Sequence, residues 1–356
     1  TPFHGIVRPD PASMQRHDHL VAIALRVGQT LCPAALRFSA RLPEERVSLP
    51  HRPVSSPLRV PRAMTILSIQ SHVAFGHVGN AAATFPLQRL GFDVWPVHTV
   101  MFSNHTGYED FAGPVIDAAE VRAVIDGMAR RGALADCEAV LSGYLGSAAI
   151  GQVVRDTVRR VRAANPRAIY VCDPVIGDTG EGVYVAKDIP ELLLHDILPE
   201  ADLALPNQFE LERLIGCEPG TLAGEPPSAV VAAARELMSA APRLRAIVVT
   251  SVQHRETDAD GIEMFAVSDA AAWRVVTPRL PFVHPLSGAG DAVSAMFAAH
   301  YLRSGGDVRA ALGNVASAIF AVLETTVALR RRELALVAAQ EALCHPPRRF
   351  AATVID

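Results

Sequence analysis

From Met64 onward, short β-rich apolar runs alternate with segments of helix length, and this alternation constrains the fold more than any other feature of the chain. Residues 66–69 read as a first buried strand, 81–90 as a helix ending at Gly91, and 94–100 as a second strand. Residues 118–131 predict a helix, 139–141 a strand, 148–164 a helix closed by Asn165-Pro166, and 168–172 another strand. The step repeats at 203–205 with 209–215, and again at 229–240 with 246–249. Residues 264–267 and 273–276, joined by a turn beginning Ser268-Asp269, predict an antiparallel hairpin. Three helices follow, at 292–302, 308–323 and 332–343. Strands alternating with helices argue for an α/β fold whose mostly parallel central sheet is covered on both faces. In such sheets ligands bind outside the carboxyl ends of the strands. Ser71, Ser142-Gly-Tyr144, Asp173, Asn207 and Thr250-Ser251 all fall there, after the first, third, fourth, fifth and sixth parallel strands.

The chain has 356 residues, half of them hydrophobic, enough for a sizeable core. With a formal net charge of −4 nothing suggests a general nucleic-acid binder, and no apolar run reads as long enough to span a membrane. Cys32, Cys137, Cys172, Cys217 and Cys344 are odd in number, widely spaced and without a C-x-x-C pair. Neither a disulfide framework nor a zinc site is indicated, which points to a reducing cytoplasm. Residues 1–63 are rich in Pro and Arg and lack sustained periodicity. They read as a disordered tail or as sequence translated upstream of a start at Met64, with an Arg-rich targeting peptide as the other reading. The expected folded domain is 64–356.

Five segments carry chemistry. Pro285-Leu-Ser-Gly-Ala-Gly-Asp291 is a glycine-rich turn that runs into an apolar helix. Small residues let backbone N–H groups crowd around an anion, and the helix behind adds its positive end. An aspartate beside that anion makes sense as a proton acceptor, so the pairing suggests phosphoryl transfer. The bland alternative is a plain turn at the start of a helix. A Walker A loop is excluded, because the single lysine, Lys187, lies outside any such motif.

Cys172-Asp173-Pro174 ends a buried strand on a carboxylate, which could hold Mg²⁺ or merely cap a turn. Pro206-Asn207-Gln208-Phe209-Glu210 has the spacing of a capping box, and the same side chains could approach phosphate and metal-bound water. Residues 71–80, with two glycines after a buried strand, suit a small polar ring. His72 and His77 there are too loosely spaced, with no third ligand nearby, to argue for a metal. Phe102-Ser103-Asn104-His105-Thr106-Gly107-Tyr108 could stack on and hydrogen-bond a heteroaromatic ring, or be a surface loop.

With these segments in view, the chain from Met64 nearly to the C-terminus resembles the pyridoxal kinases of the ribokinase-like superfamily. The motifs that carry the resemblance are Ser68-Ile-Gln-Ser-His-Val73, Gly76-His-Val-Gly-Asn80, Phe102-Ser-Asn-His-Thr106, Leu141-Ser-Gly-Tyr-Leu-Gly-Ser147, Cys172-Asp-Pro-Val175, Pro206-Asn-Gln-Phe-Glu210 and Ser287-Gly-Ala-Gly-Asp291. The fourth motif and the overall length look most like the bacterial salvage type.

The resemblance implies ATP-dependent phosphorylation of the 5′-hydroxymethyl group of pyridoxal, in the cytoplasm, by a homodimer. It implies that Ser71 contacts the pyridine nitrogen and that Val78, Val100, Phe102, His105, Thr106, Gly107 and Tyr144 line the ring pocket. Asp291 would take the hydroxyl proton, and Gly288, Ala289 and Gly290 would hold the developing charge. Asp173 and Glu210 would organise Mg²⁺, with K⁺ near Asp173 and Thr250. Tyr184, Asn207, Thr250 and Ser251 would contact nucleotide phosphates, and Leu205, Thr277, Pro278, Arg279 and Leu280 would sit near the nucleotide. The chain departs from the family pattern in that some bacterial relatives carry lysine where Thr250 stands, and the segment around Tyr184 varies.

The competing readings are a hydroxymethylpyrimidine kinase of the same fold and a non-catalytic pyridoxal-binding protein. The first would be expected to show a first loop resembling Gly-Ser-Asp-Ser-Ser-Gly-Gly, which Ser71-His72-Val73 does not. The second would need neither Asp291 nor the glycine loop.

Overall fold

The computed structural model describes residues 63–355. The expected tail at 1–63 therefore lies, but for Ala63, outside the described residues. The strands are β1 (Thr65–Val73), β2 (Asp93–Phe102), β3 (Ala139–Ser142), β4 (Ile169–Cys172), β5 (Gly177–Asp178), β6 (Gly182–Val183), β7 (Leu203–Ala204), β8 (Ala246–Val252), β9 (Gly261–Ser268), β10 (Ala272–Pro278) and β11 (Thr353–Val354). The helices are α1 (Asn80–Arg89), α2 (Ala118–Arg130), α3 (Ala148–Ala164), α4 (Ile189–Leu192, continued by a wider turn over Leu193–Ile197), α5 (Gln208–Leu214), α6 (Pro227–Ala240), α7 (Ala289–Arg303), α8 (Val308–Ala328) and α9 (Gln340–Cys344).

Nine strands form one sheet in the order β11-β10-β9-β8-β7-β4-β3-β1-β2. The six from β2 to β8 pair in parallel, and β9, β10 and β11 add an antiparallel edge. Successive strand side chains point to opposite faces. Leu67, Ile69, Val140, Ile247 and Val249 therefore meet Val121, Ile125, Ile150, Val154 and Leu237 on one side. Ile66, Leu141, Val171 and Val248 meet Leu87, Met296, Phe297, Leu312 and Ile319 on the other. The expected α/β architecture, helices on both faces, is what forms.

α3 shows how local sequence sets an element. Ser147 caps it by accepting from the Ile150 N–H at 3.3 Å, and Ile150, Val153, Val154, Val158 and Val161 form its buried stripe. Its outer face carries arginines, among them Arg162, which binds Asp202 at 2.6 Å.

Four expectations are corrected. The first strand runs on through Val73 past a register shift between Gln70 and His72, so Ser71 belongs to the strand rather than following it. β8 likewise continues through Thr250 and Ser251. The helix expected at 332–343 shrinks to α9, because Arg330 turns into the left-handed region (φ 51°) just past α8 and the chain reverses there. Finally, α8 is long and apolar enough to cross a membrane by length and composition. Its Ala311, Leu312, Val315, Ile319 and Val322 are buried in the second core, as for the central helix of a folded domain. The β5–β6 hairpin, α4 and β11 had no sequence expectation.

Candidate active site

One cleft of about 330 Å³ opens at the carboxyl ends of the parallel strands. Its base is the start of α7. Gly288 is the N-cap at φ 82°, and a Cβ there would run into the backbone carbonyl of His77, so only glycine fits this approach of two loops. No side chain caps the helix. The N–H groups of its first turn are thus left for a ligand where Gly288, Ala289, Gly290 and Asp291 line the cleft. The Asp291 carboxyl is pushed up by burial, opposed by a hydrogen bond from the Gly79 backbone.

Two more acids stand beside it. Asp173 follows β4 and accepts from Ser294 Oγ on α7 at 2.8 Å; burial and the neighbouring Asp291 charge raise its carboxyl. Glu210 closes the expected capping box at the start of α5. Its Oε2 accepts from the Asn207 N–H at 2.9 Å, while Asn207 Oδ1 accepts from the Glu210 N–H at 2.8 Å. Glu210 Oε1 accepts from the Ile176 N–H at 2.9 Å. Burial and the Asp173 charge still raise this carboxyl well above the usual range. Asn207 Nδ2 also donates to the Gly177 carbonyl at 2.9 Å, tying α5 to the β5–β6 hairpin.

Among the described residues no lysine or arginine lines the cleft. Three crowded carboxylates without a counter-charge are costly, and a divalent cation would relieve them. Among the described residues no three His, Cys, Asp or Glu side chains cluster as ready-made metal ligands. The donor set therefore fits a hard cation that takes most of its oxygens from water and phosphate.

The opposite end is apolar. Val73, Val100 and Phe102 form a small cluster apart from the two main cores, with Val78 and Tyr144 packed on it. Ser71 lies beside it, 8 % exposed, and a Cβ at Gly79 would collide with its Oγ and carbonyl. His105, Thr106 and Gly107 complete this end.

The structure brings Leu205, Asn207, Tyr184, Thr250 and Ser251 to the same cleft. Ser251 adopts φ 53° where β8 shifts register between Val249 and Val252, a strained backbone of the kind that collects at ligand sites. It does not bring Thr277, Pro278, Arg279 and Leu280 there. The Arg279 side chain instead donates to the Ala259 carbonyl at 3.0 Å, packing the end of β10 on the β8–β9 connection.

Sequence reasoning missed Val73, Val175, Asp178, Glu181, Leu286 and Ser287, which also line the cleft. It missed Glu333 as well, which binds His105, Tyr108 and the His77 N–H. The flanking motifs signalled the first six. Nothing signalled Glu333, 228 residues from His105.

A glycine-rich helix start, three crowded acids and an apolar pocket at the ends of a parallel sheet are the marks of a small-molecule kinase of the ribokinase-like class. Comparison with known proteins agrees. The family model described as phosphomethylpyrimidine kinase matches residues 97–334. Pyridoxal kinase PdxY of Corynebacterium diphtheriae is 47 % identical over 289 residues, 81 % of this chain and 98 % of that protein. Its counterpart from Rubrobacter xylanophilus is 49 % identical over 288 residues, 81 % of this chain and 96 % of that protein. Among solved structures, pyridoxal kinase from Leishmania donovani in complex with ADP and pyridoxine superposes with a TM-score of 0.73 at 29 % identity, covering 82 % of this chain and 99 % of that one. The chain belongs to the pyridoxal kinase family.

Proposed function

We propose that the chain transfers the γ-phosphoryl group of ATP to the 5′-hydroxyl of pyridoxal, giving pyridoxal 5′-phosphate. The observation that carries this reading is the place of Asp291 at the junction of the cleft's two halves. It lines the cleft at the start of α7, where the Gly79 backbone lowers its carboxyl against burial and its charge raises that of Asp173.

Asp291 takes the hydroxyl proton as the oxygen attacks the γ-phosphorus; the bond from phosphorus to the bridging oxygen breaks, and ADP leaves. The first-turn N–H groups of Gly288, Ala289 and Gly290 meet the negative charge on the transferring group. Ser71 faces the pyridine nitrogen, and Val78, Val100, Phe102, His105, Thr106, Gly107 and Tyr144 enclose the ring. Asn207, Thr250, Ser251 and Tyr184 hold the nucleotide phosphates, with Leu205 beside the nucleotide.

Asp173, directly, and Glu210, through water, are the residues that would hold Mg²⁺, which neutralises phosphate charge when bound. K⁺ near Asp173 and Thr250 is the further cation in this reading. The cytoplasm is the compartment that suits four free cysteines among the described residues. A homodimer is supported by Met101 near the end of β2 and by Phe111 and Val115 on the segment that pairs along it, large apolar side chains left exposed.

A coupled ADP-release assay offering pyridoxal, pyridoxine, pyridoxamine and hydroxymethylpyrimidine tests the substrate. Turnover of pyridoxal is expected. Phosphorylation of the pyrimidine alone would favour the second reading, which the matched family's description supports.

A further inference from the structure

The carboxylate of Glu333 lies outside the reacting groups, yet it joins three segments far apart in sequence. Its Oε1 accepts from the Tyr108 hydroxyl at 2.7 Å and lies 3.2 Å from His105 Nε2; its Oε2 accepts from the His77 N–H at 3.0 Å. The side chain is 13 % exposed. Gly76, at φ 95°, passes so close that a Cβ there would run into this carboxylate. The neighbouring Arg332 seals the arrangement from outside. Its guanidinium lies 3.7 Å above the Tyr108 ring and donates to the Gly107 carbonyl at 2.8 Å. Burial alone would raise the Glu333 carboxyl, but the bonds from His105, Tyr108 and His77 outweigh it and hold it at about 2, so it stays anionic.

A carboxylate anion accepts hydrogen bonds and donates none. The other nitrogen of His105, Nδ1, accepts from the Gly107 N–H at 3.2 Å and lies 3.4 Å from Ser287 Oγ, next to the glycine loop. A neutral ring with an acceptor at Nδ1 carries its proton at Nε2, the nitrogen that faces Glu333. The ring that lines the acceptor end of the cleft is thereby held in one tautomer and one orientation.

We propose that Glu333 is a positioning residue for the phosphoryl acceptor: it holds His105 in the Nε2-protonated form and clasps the 72–80 loop to the 103–113 loop, so that the ring pocket stands formed before substrate arrives. The proposal rests on the reading of this end of the cleft as the acceptor site. Pre-forming a pocket removes an ordering cost from binding, and an interaction equal in ground and transition states alters KM rather than kcat. Among the described residues, the hydrogen bonds of Glu333 go to His77, His105 and Tyr108 and none reaches β4, α5 or β8, which build the nucleotide half in this reading.

Glu333→Gln, nearly isosteric and uncharged, tests this. The acceptor KM should rise about tenfold, with the ATP KM within about twofold and kcat within about threefold. The nitrogen-15 shifts of the His105 ring should lose the Nε2-protonated signature, and Glu333→Asp should retain it. Tyr108→Phe, which removes one donor from a half-exposed position, should raise the acceptor KM about threefold.

An unchanged acceptor KM in Glu333→Gln, an equal rise for both substrates, or an unchanged His105 tautomer overturns the proposal. Should Glu333→Gln fail to fold, an unchanged acceptor KM in Tyr108→Phe overturns it. Failure of the substrate reading looks different. A wild-type enzyme that turns over only the pyrimidine refutes pyridoxal, and Glu333 is then judged with that acceptor. A wild-type chain without kinase activity refutes the function, while the His105 tautomer and pyridoxal affinity still judge Glu333.

Discussion

Asp291 sits at a helix N-terminus, where the macrodipole favours its charge, yet burial raises its carboxyl. A raised value makes it a better proton acceptor than an exposed aspartate. Asp291→Asn should lower kcat by at least about a hundredfold while pyridoxal binding, measured by titration calorimetry, largely survives. Near wild-type turnover would remove the residue from the role of base.

Asp173 gives a prediction in pH. Its folded value is raised by burial and by Asp291. The stability it contributes is therefore complete in acid, below the ordinary carboxylate range, and is lost as pH rises through the folded value. Mg²⁺ binds the ionised form, so protons compete with it. The rise in Tm on adding Mg²⁺ should be larger at about pH 8.5 than at about pH 6. A pH-independent rise would mean that these acids do not hold the metal.

At the scale of elements, the decisive one is α7 with the loop before it. Gly288 holds φ 82° and meets the His77 carbonyl at closest approach. Gly288→Ala must strain that backbone and part the two loops. It should cost roughly 1–3 kcal/mol in a urea melt and lower kcat as well, because the first-turn N–H groups move with the loop. An alanine variant of wild-type stability and rate would show that the approach is not needed. Gly290, whose Cβ would meet nothing within 4 Å, provides the contrast: Gly290→Ala should fold normally.

For the whole molecule, two cores on the faces of one nine-stranded sheet are built from residues within 64–355. An enzyme beginning at Met64 should therefore fold and keep kcat and KM within about twofold. Loss of folded, active protein on truncation would assign the N-terminal segment a role. Analytical ultracentrifugation should give twice the chain mass, and Met101→Glu in this exposed apolar patch should shift that toward the monomer. A wild-type monomer would set the dimer aside.

Much was legible in the sequence because it is written in local patterns. The strand–helix alternation set the fold class, since apolar runs of those lengths can be buried only on both faces of a parallel sheet. The position of Ser71, Tyr144, Asp173, Asn207 and Thr250 at or near strand ends placed the cleft, and the capping box at Asn207 and Glu210 formed as spaced.

What tertiary structure decided lies where distant segments meet. Ser251 took its left-handed backbone from a register shift against β9, which no local motif encodes. The residues 277–280 stand outside the lining of the cleft, with Arg279 bonded to the Ala259 carbonyl on the β8–β9 connection. The helix expected at 332–343 gave way to a reversal at Arg330, and that reversal delivers Glu333 to loops more than two hundred residues earlier. A sequence records what each segment prefers; which carboxylate reaches which histidine is settled only when whole layers pack.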